Sequence, residues 1–345
     1  MKIGNRKVGT QYKPLFIAEI GINHNGSLVI AKEMVDSCKR AGVEVVKHQT
    51  HIPEFEMSKL MASKTIPGNS TKSIYEIMEE CSLDEKDELE LKNYVESNGM
   101  IFISSPFSLE AIDRLEKFNV LAYKIGSGEM KNYPMLEKIC NTGKPLILST
   151  GMHDIEDVKK SVSFLKNKNP NIELALLHTT NLYPTPDNLV RLGALNDLQN
   201  TFDHIPIGLS DHTITNHSSF GAVALGASII EKHYTDTNER IGPDIICSVN
   251  EIECVELLNG IDIIFQQRGG SKTLINEEQV TRDFALATAT AIKKISIGEI
   301  FDTSNIVLKR PNKGDFDSSN IHELFGKKAN RIIQEGEQII KNNLI

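Results

Sequence analysis

The sequence contains few cysteines, and they form neither a zinc motif nor a dithiol motif. Five cysteines, an odd number, stand at positions 38, 81, 140, 247 and 254 among 345 residues, and no two are spaced as C-x-x-C. Regularly spaced, even-numbered cysteines are typical of secreted disulfide frameworks, which this pattern excludes. We therefore expect reduced thiols and a cytoplasmic location.

Long apolar runs and basic blocks are also missing. No stretch approaches 18 apolar residues, and the N-terminal segment MKIGNRKVG lacks the apolar region of a signal peptide, so we expect a soluble chain that does not enter a membrane. The formal net charge is −8, which argues against a duplex nucleic-acid partner. An anionic ligand must therefore be bound by local Lys and Arg side chains.

Eight short apolar runs, each followed by a segment with helical spacing, recur along the first 270 residues. The runs are 15–20, 43–47, 100–104, 120–125, 145–149, 173–178, 205–209 and 228–233. They lack polar–apolar alternation, as is typical of parallel strands buried on both faces. Eight such units predict an α/β fold, a (β/α)8 TIM barrel. The competing doubly wound sheet would need a Gly-rich first turn, and the nearest segment, 126–131 (GSGEMK), follows the fourth strand and lacks the third Gly.

The pattern changes near residue 270. The segment 268–271 (RGGS) interrupts the last predicted helix, a polar stretch follows, and the remainder has short runs and turns with Gly at 298, 314, 326 and 336. We predict a catalytic barrel over 1–270, a linker over 271–284 and a small C-terminal domain over 285–345. The segment from about 50 to 84 is too long for a plain turn and predicts a lid or a contact with a partner chain.

Polar side chains stand at the C-terminal ends of all eight predicted strands, where TIM-barrel active sites lie. Any single one is as consistent with a helix cap as with a functional group. Eight in succession favour a ligand site, because polar groups on an apolar barrel are costly unless they are satisfied. These residues are Glu19, Asn23, His24, Lys47, Gln49, Ser104, Ser105, Lys124, Ser127, Ser149, Thr150, His178, Asn181, Ser210, Asp211, His212, Lys232 and His233.

Lys47 and Lys124 interrupt apolar runs, which is unusual for surface lysines. Together with Ser105, Ser127 and Ser149 they predict a site for a phosphate or a carboxylate that needs no P-loop. The alternative is a Schiff-base lysine, as in class I aldolases.

His212 and His233 end neighbouring strands, so that they could ligate one metal ion. The general ligand preferences of transition metals favour zinc or iron for two imidazoles, and a purely structural role for each histidine stays open. Glu19 follows Ala18 in an apolar run and could act as a general acid or base. It could equally form an ion pair with Lys47, and the two roles are compatible.

Nine motifs, in order along the chain, resemble those of bacterial N-acetylneuraminate (sialic acid) synthases. They are 18–26 (AEIGINHNG), 47–51 (KHQTH), 104–107 (SSPF), 123–129 (YKIGSGE), 149–152 (STGM), 178–186 (HTTNLYPTP), 208–213 (GLSDHT), 231–233 (EKH) and 242–244 (GPD). The tail, with 309–311 (KRP) and 326–329 (GKKA), resembles the C-terminal antifreeze-like (SAF) domain of those enzymes, a small β-clip. The similarity extends from residue 15 to the end.

The resemblance implies a phosphoenolpyruvate-dependent synthase, a transferase that forms a C–C bond. Phosphoenolpyruvate would condense with N-acetylmannosamine and water to give N-acetylneuraminate and phosphate, with Glu19 handling protons. The implied binding groups are Lys47, Ser105, Lys124, Ser127, Ser149 and Ser210 for phosphoenolpyruvate; Gln49, Asn69, Asn181, Tyr183, Asp244, Phe284 and Arg310 for the sugar; and His212 and His233 for Mn²⁺, or Mg²⁺ or Co²⁺. The resemblance also implies a homodimer with swapped SAF domains, in which Arg310 reaches the partner's site.

The sequence departs from the family pattern at two places: the first keeps the hydroxyl group, and the second bears on the choice of sugar. Ser105 stands where many relatives have Thr, and residues 245–248 read IICS rather than the His-containing form of some relatives. A sister synthase that uses a 2,4-diacetamido-6-deoxy hexose, a precursor of legionaminate or pseudaminate, would share the donor and metal residues. A non-enzymatic alternative, a carbohydrate- or ice-binding module on an inert barrel, conflicts with the polar strand ends.

Overall fold

A computed structural model of the protein describes residues 1–67 and 71–345. The chain forms two compact units, Met1–Gly269 and Gly270–Ile345. The division lies one residue before the boundary expected from the sequence. The first unit begins with a small antiparallel hairpin, β1 (Lys2–Ile3) and β2 (Arg6–Lys7).

Eight parallel strands close into a barrel in the first unit. They are β3 (Leu15–Gly21), β4 (Val45–Thr50), β5 (Ile101–Pro106), β6 (Tyr123–Ile125), β7 (Leu146–Ser149), β8 (Leu174–Thr179), β9 (Ile207–Asp211) and β10 (Ile229–His233). Each strand pairs with the next one along the chain, and β10 pairs with β3. The predicted TIM barrel is confirmed. The doubly wound alternative is wrong, because its sheet would be open.

Helices follow the strands and cover the barrel. They are α1 (Leu28–Ala41), α2 (Pro53–Glu56), α3 (Lys59–Ala62), α4 (Ile74–Cys81), α5 (Glu85–Ser97), α6 (Leu109–Lys117), α7 (Tyr133–Thr142), α8 (Ile155–Lys168), α9 (Gly193–Thr201), α10 (His217–Ala224) and α11 (Glu251–Gln267). Side chains of Ser27, Ser108 and Asp154 cap the N-termini of α1, α6 and α8 by accepting a backbone N–H three residues on. None of the helices in the described ranges combines the length and the hydrophobicity needed to cross a membrane.

The barrel interior is apolar at the strand starts and polar at the strand ends. Leu15, Ile17 and Val45 are completely buried there, and Ile3 and Val8 of the N-terminal hairpin pack against the same cluster. This packing fills the end of the barrel at which the strands begin. The opposite end, where the strands finish, is left for a ligand.

The second unit has its own apolar core around the buried side chains of Phe301, Phe316 and Leu324. Its sheet consists of β11 (Thr288–Ala291) and β12 (Ile306–Lys309), which pair antiparallel. Helix α12 (Gln279–Ala285) precedes the sheet. The segment 271–284, expected from its polar composition to be a linker, is therefore helical in its second half.

Gly208 of β9 has no room for a side chain. A Cβ atom there would lie 2.6 Å from Leu177 Cδ2 and would overlap the carbonyl oxygen of Ile229. We expect Gly208→Ala to lower the free energy of unfolding by about 1–3 kcal/mol, the usual cost of overpacking a well-filled core. Urea unfolding followed by circular dichroism measures the change.

Gly193→Ala is the matched control. Gly193 lies in the exposed first turn of α9, and a Cβ there would meet nothing within 4 Å. Alanine favours helix over glycine by up to about 1 kcal/mol, so this variant should be as stable as the parent or slightly more so. Equal stability of the two alanine variants would contradict the overpacking argument.

Candidate active site

A cavity of about 460 Å³ opens at the C-terminal ends of the barrel strands. Its size falls within the range of small-molecule sites, roughly 300–1,000 Å³. The site residues proposed from the sequence that line it are Glu19, Lys47, Gln49, Ser105, Lys124, Ser127, Ser149, Asn181, Tyr183, Ser210, His212, His233 and Asp244. Asn69 lies outside the described residues, and Phe284 and Arg310 belong to the second unit.

Two lysines and two glutamates form the floor of the cavity. Lys47 Nζ lies 2.5 Å from Glu19 Oε2 and 3.8 Å from Glu231 Oε1. Lys124 Nζ lies 3.3 Å from the same Glu231 oxygen. All four side chains are buried. The ion pair that the sequence offered as one role of Glu19 is present, and Gln49 Nε2 donates a hydrogen bond of 2.7 Å to the other Glu19 oxygen.

The charged groups of the floor shift one another's pKa values. Burial opposes the charged form of Lys47, but Glu19 and Glu231 outweigh it and raise the pKa of Lys47. Burial likewise opposes ionisation of Glu231, but Lys124 and Lys47 outweigh it and lower the pKa of Glu231 to about 2. Burial lowers the pKa of Lys124, and Glu231 offsets only part of that effect. Lys124 is thus the lysine that loses its proton more readily.

Four serine hydroxyls surround these charges. Ser105 Oγ accepts from Lys47 Nζ at 3.3 Å, Ser210 Oγ donates to Glu231 Oε1 at 3.0 Å, and Ser127 Oγ accepts from a backbone N–H. The buried Ser149 Oγ has no hydrogen-bond partner among the described residues. An unpaired buried hydroxyl costs free energy unless a ligand or water satisfies it. The geometry therefore favours an oxygen-rich anionic ligand on this floor.

The two histidines lie side by side at the edge of the floor. The ring centroids of His212 and His233 are 5.4 Å apart, and the tilted Tyr183 ring packs against His212 with a centroid distance of 4.2 Å. His212 Nδ1 donates to the carbonyl oxygen of Thr180 at 2.9 Å, which leaves the Nε2 lone pair available. Burial, with the neighbouring His233, lowers the pKa of His212 to about 4, and burial lowers the pKa of His233 to about 4. Both rings are therefore neutral at pH 7, as metal ligands must be.

The histidine pair fits a metal ion that has only two protein ligands. Within residues 1–67 and 71–345, no group of three or more His, Cys, Asp or Glu side chains is arranged to hold a metal ion. An ion bound by the pair would complete its coordination with water and substrate, an open arrangement that is typical of catalytic rather than structural sites. Two neutral imidazoles accept several divalent ions, zinc, iron and manganese among them.

Comparison with known protein families identifies the family of the chain. Residues 34–273 match the NeuB family, and residues 287–345 match the SAF domain. The chain belongs to the NeuB family. The resemblance to sialic acid synthases with a C-terminal SAF domain is thereby confirmed.

Similar proteins include synthases of sialic acid and of related nonulosonic acids. The N,N'-diacetyllegionaminic acid synthase of Campylobacter jejuni is 34% identical over 95% of this chain and 99% of its own length. The N-acetylneuraminate-9-phosphate synthase of Homo sapiens is 30% identical over 97% of this chain and 94% of its own. The crystal structure of the N-acetylneuraminic acid synthetase of Leptospira borgpetersenii in complex with citrate superposes with a TM-score of 0.73 at 28% identity, covering 81% of this chain and 94% of that one.

Glu231 is the charged residue of the floor in this NeuB-family site to which sequence reasoning assigned no role. Residues two apart on a strand share a face, so the inward position of His233 requires Glu231 to point inward as well. The signal in the sequence is that side-chain direction alternates along the strand 229–233 (IIEKH), so that Glu231 and His233 share a face. The same rule turns Lys232 outward, where it pairs with Asp211 at 3.0 Å and donates to the Thr213 carbonyl oxygen at 2.6 Å.

Some of the polar residues at the strand ends do not line the cavity. Those outside the cavity lining are Asn23, His24, Ser104, Thr150, His178, Asp211 and Lys232. His24 instead lies in a buried network with α5, in which its Nε2 is 3.2 Å from His48 Nε2 and His48 Nδ1 is 3.1 Å from Glu88 Oε1. His51, which the sequence analysis placed only in a motif, does line the cavity and stacks on Phe107 at 4.2 Å.

The His24 network makes the stability of this NeuB-family protein sensitive to acid. Burial, assisted by His48, lowers the pKa of His24 from 6.5 to about 3. A lowered pKa in the folded state means that folding favours the neutral ring, so its contribution is present above pH 6.5 and is lost as the pH falls toward 3. At pH 5 the loss amounts to about 2 kcal/mol.

We therefore expect His24→Gln to reduce the difference in the free energy of unfolding between pH 7.5 and pH 5. Urea unfolding at the two pH values measures that difference. His217→Gln is the control, because His217 is exposed on α10. An acid sensitivity that is the same in wild type and His24→Gln would show that His24 is not its source.

Proposed function

We propose that this protein condenses phosphoenolpyruvate with N-acetylmannosamine and water to give N-acetylneuraminate and phosphate. The observation that carries the proposal is the cavity floor, where two buried lysines and four serine hydroxyls meet at the active end of a TIM barrel. Cations and hydroxyls of this kind suit a ligand with both a phosphate and a carboxylate. Membership of the NeuB family supports the reaction class.

A second acceptor is a 2,4-diacetamido-6-deoxy hexose, which would give a legionaminate-type product. The 34% identity with the diacetyllegionaminic acid synthase of Campylobacter jejuni over 95% of this chain favours it. Both acceptors would use the same donor residues, so the two candidates differ only in the sugar part of the site.

Phosphoenolpyruvate, the donor, would bind by taking the place of glutamate carboxylates as the ionic partner of the two lysines. Glu19 and Glu231 already neutralise Lys47 and Lys124, so the oxyanions of phosphoenolpyruvate compete with these carboxylates for the same ammonium groups. The unpaired Ser149 hydroxyl supplies an additional donor. Inside a buried site such charge-assisted hydrogen bonds are about twice as strong as neutral ones.

The chemistry then follows from the charges. C3 of the enol attacks the aldehyde carbon of the open-chain sugar, and water adds to the cationic C2. Glu19 accepts a proton from this water and returns it to the oxygen of the new alcohol, a transfer for which its position between Lys47 and Gln49 is suited. The tetrahedral centre collapses to a ketone with cleavage of its C–O bond to phosphate, and the hydroxyl proton leaves with the phosphate. When bound by His212 and His233, a divalent cation such as Mn²⁺ supplies Lewis acidity toward the sugar carbonyl.

A reducing cytoplasm suits this protein. All five cysteines are buried and none forms a disulfide, which supports the proposed cytoplasmic location.

Phosphate release with each of the two acceptors tests the proposed function. We expect turnover of phosphoenolpyruvate with at least one acceptor in Mn²⁺, loss of turnover in EDTA and recovery on adding Mn²⁺ back. His212→Ala and His233→Ala should lose Mn²⁺ binding by electron paramagnetic resonance as well as activity, since each removes one of two protein ligands. His217→Ala, on an exposed helix position, serves as the control.

The aldolase alternative predicts a different outcome of the same assays. Borohydride reduction in the presence of pyruvate would then trap an adduct on Lys124 or Lys47, and chelators would have no effect. Such an adduct, or the absence of phosphate release with both acceptors, would contradict the proposed synthase.

We further propose a homodimer in which Arg310 of one chain serves the cavity of the other. Arg310 is exposed directly after β12 in the second unit, and a guanidinium makes two directed hydrogen bonds to a carbonyl group such as that of an acetamido substituent. The exposed Phe284 of α12 is the proposed aromatic neighbour of the sugar.

Mixing of variant chains tests this arrangement. Arg310→Ala and His212→Ala chains should each be inactive alone, but in a mixed dimer one site receives an intact histidine pair and an intact arginine. Random reassortment of a two-fold dimer should restore up to about one quarter of the sites, and native mass spectrometry verifies that mixed dimers form. Verified mixed dimers without activity would contradict a partner-supplied arginine.

A further inference from the structure

A row of four hydrogen-bonded side chains leads from a short helix to the floor of the cavity. Glu19 Oε1 accepts a hydrogen bond of 2.7 Å from Gln49 Nε2. The oxygen of the same amide, Gln49 Oε1, lies 2.9 Å from His51 Nε2. The other ring nitrogen of His51, Nδ1, lies 3.0 and 3.1 Å from the two carboxylate oxygens of Glu56. We refer to the last two residues as the His51–Glu56 pair.

The His51–Glu56 pair is buried and held from several sides. Its side chains are only 5% and 4% exposed. The His51 ring lies against Phe107, with the ring planes 15° apart. Glu56 is the last residue of α2, and its Oε2 also accepts the backbone N–H of Ile52 at 3.3 Å. His51 lines the cavity and Glu56 does not, so Glu56 acts on a ligand only through its neighbours.

Hydrogen-bond chemistry fixes the protons along this row. A carboxylate only accepts hydrogen bonds, so the NH2 group of Gln49 must face Glu19. The amide oxygen then faces His51 Nε2, which must carry a proton to donate to it. An ionised Glu56 also only accepts, so His51 Nδ1 carries a proton as well. His51 is thus an imidazolium whose charge is balanced by Glu56, as a buried charge requires.

The same chemistry excludes the reversed amide. It would place Gln49 Oε1 against a carboxylate oxygen of Glu19, and it would place the NH2 group against the N–H of His51. Both contacts would join like groups and leave buried donors and acceptors without partners, which is costly. The proton on His51 Nε2 therefore decides which way the Gln49 amide points.

The hydrogen bond between Gln49 and Glu19 has little room to move. A Cβ atom on Gly21 would lie 2.7 Å from Glu19 Oε1 and 3.0 Å from Gln49 Nε2, so this hydrogen bond lies directly against the backbone at the end of β3. The other carboxylate oxygen, Glu19 Oε2, is 2.5 Å from Lys47 Nζ. Each oxygen of Glu19 thus has its own partner, and the two partners together set the plane of the carboxylate.

We propose that the His51–Glu56 pair positions Glu19 through Gln49. This inference rests on the proposed function, in which Glu19 accepts a proton from water and returns it to the new alcohol. A carboxylate that transfers a proton in both directions must keep its oxygens in place, because a misplacement of about 1 Å can cost on the order of 100-fold in rate. His51 and Glu56 are positioning residues, since they act on Glu19 through the amide of Gln49.

Two substitutions of His51 separate its N–H donor from its ring. His51→Phe keeps an aromatic ring against Phe107 but removes the donor, and His51→Gln loses the ring but supplies an amide N–H near the place of Nε2. We expect His51→Phe to lower kcat by about 10- to 100-fold, part of the 10²–10⁴ that a positioned acid–base group supplies. His51→Gln should recover most of that loss.

The binding of phosphoenolpyruvate shows that the effect is not a general loss of structure. Its dissociation constant in His51→Phe should stay within about 2-fold of the wild-type value, because Lys47 and Lys124 remain, so the substitution changes kcat and not donor binding. A wild-type kcat in His51→Phe would overturn the proposal. So would a kcat in His51→Gln that is no higher than in His51→Phe.

Glu56→Gln extends the test to a residue that does not line the cavity. Without this carboxylate a neutral His51 has one ring proton, which the new amide and Gln49 must share, so we expect kcat to fall by about 3- to 10-fold. Glu54→Gln is the matched control, because Glu54 is exposed on the same helix α2, and it should keep the wild-type kcat. A wild-type kcat in Glu56→Gln would contradict the role of Glu56.

A double-mutant cycle shows whether His51 acts through Gln49. In a Gln49→Leu background there is no amide to orient, so adding His51→Phe should lower kcat by no more than about 2-fold. If the losses of the two single variants instead multiply in the double variant, His51 acts independently of Gln49 and the proposed path is wrong.

NMR of the histidine ring nitrogens separates failure of this inference from failure of the proposed function. In the full chain labelled with ¹⁵N-histidine and without substrate, the signals of His51 are those lost in His51→Phe. We expect a protonated Nε2 at pH 7.5 in wild type and less protonation there in Glu56→Gln. If neither acceptor is turned over, the proposed function fails, and this pattern would still support the orientation of Gln49. If turnover occurs while Nε2 is unprotonated, the positioning inference is wrong and the synthase activity stands.

Discussion

The mutual neutralisation of two lysines and two glutamates inside the barrel is the constraint on which the site depends. Burying a single ammonium group or carboxylate without a partner would cost several kcal/mol. Lys47 meets Glu19 at 2.5 Å and Lys124 meets Glu231 at 3.3 Å, so each charge has an opposite neighbour. Such pairs contribute little net stability compared with apolar packing, and their value is that they keep cations available to an anionic ligand within an otherwise apolar barrel.

Closure of the barrel creates this arrangement. Glu19 on β3 is the register partner of Lys47 on β4 and of His233 on β10. The acid–base candidate thus lies between the donor-binding lysine and the histidine pair, although about 200 residues separate Glu19 from His233 along the chain. The apolar packing at the strand starts, with Ile3 and Val8, fills the barrel interior at the other end.

Polar groups on the outer face of the strands serve a different purpose. His48 of β4 stands between Lys47 and Gln49 of the cavity, but its side chain forms a buried network with Glu88 of α5. Arg114 of α6 contacts the second oxygen of Glu88 at 3.1 Å. One strand thus carries the ligand-binding groups on one face and the groups that fix its helices on the other.

The sequence by itself determined the barrel and most of the floor. Eight apolar runs without alternation are sufficient for eight buried parallel strands, and the rule that TIM-barrel sites lie at the strand ends brings Lys47, Lys124 and the serines together. The sequence could not decide which strand-end residues point inward, because the period of two fixes relative direction along a strand but not its absolute sense. Lys232 was therefore included and Glu231 was overlooked, whereas His24 lies in the turn after β3, where no strand period applies. Only the tertiary structure decided those directions and the position of helix α4 beside the cavity, since both depend on contacts between segments that are distant in the chain.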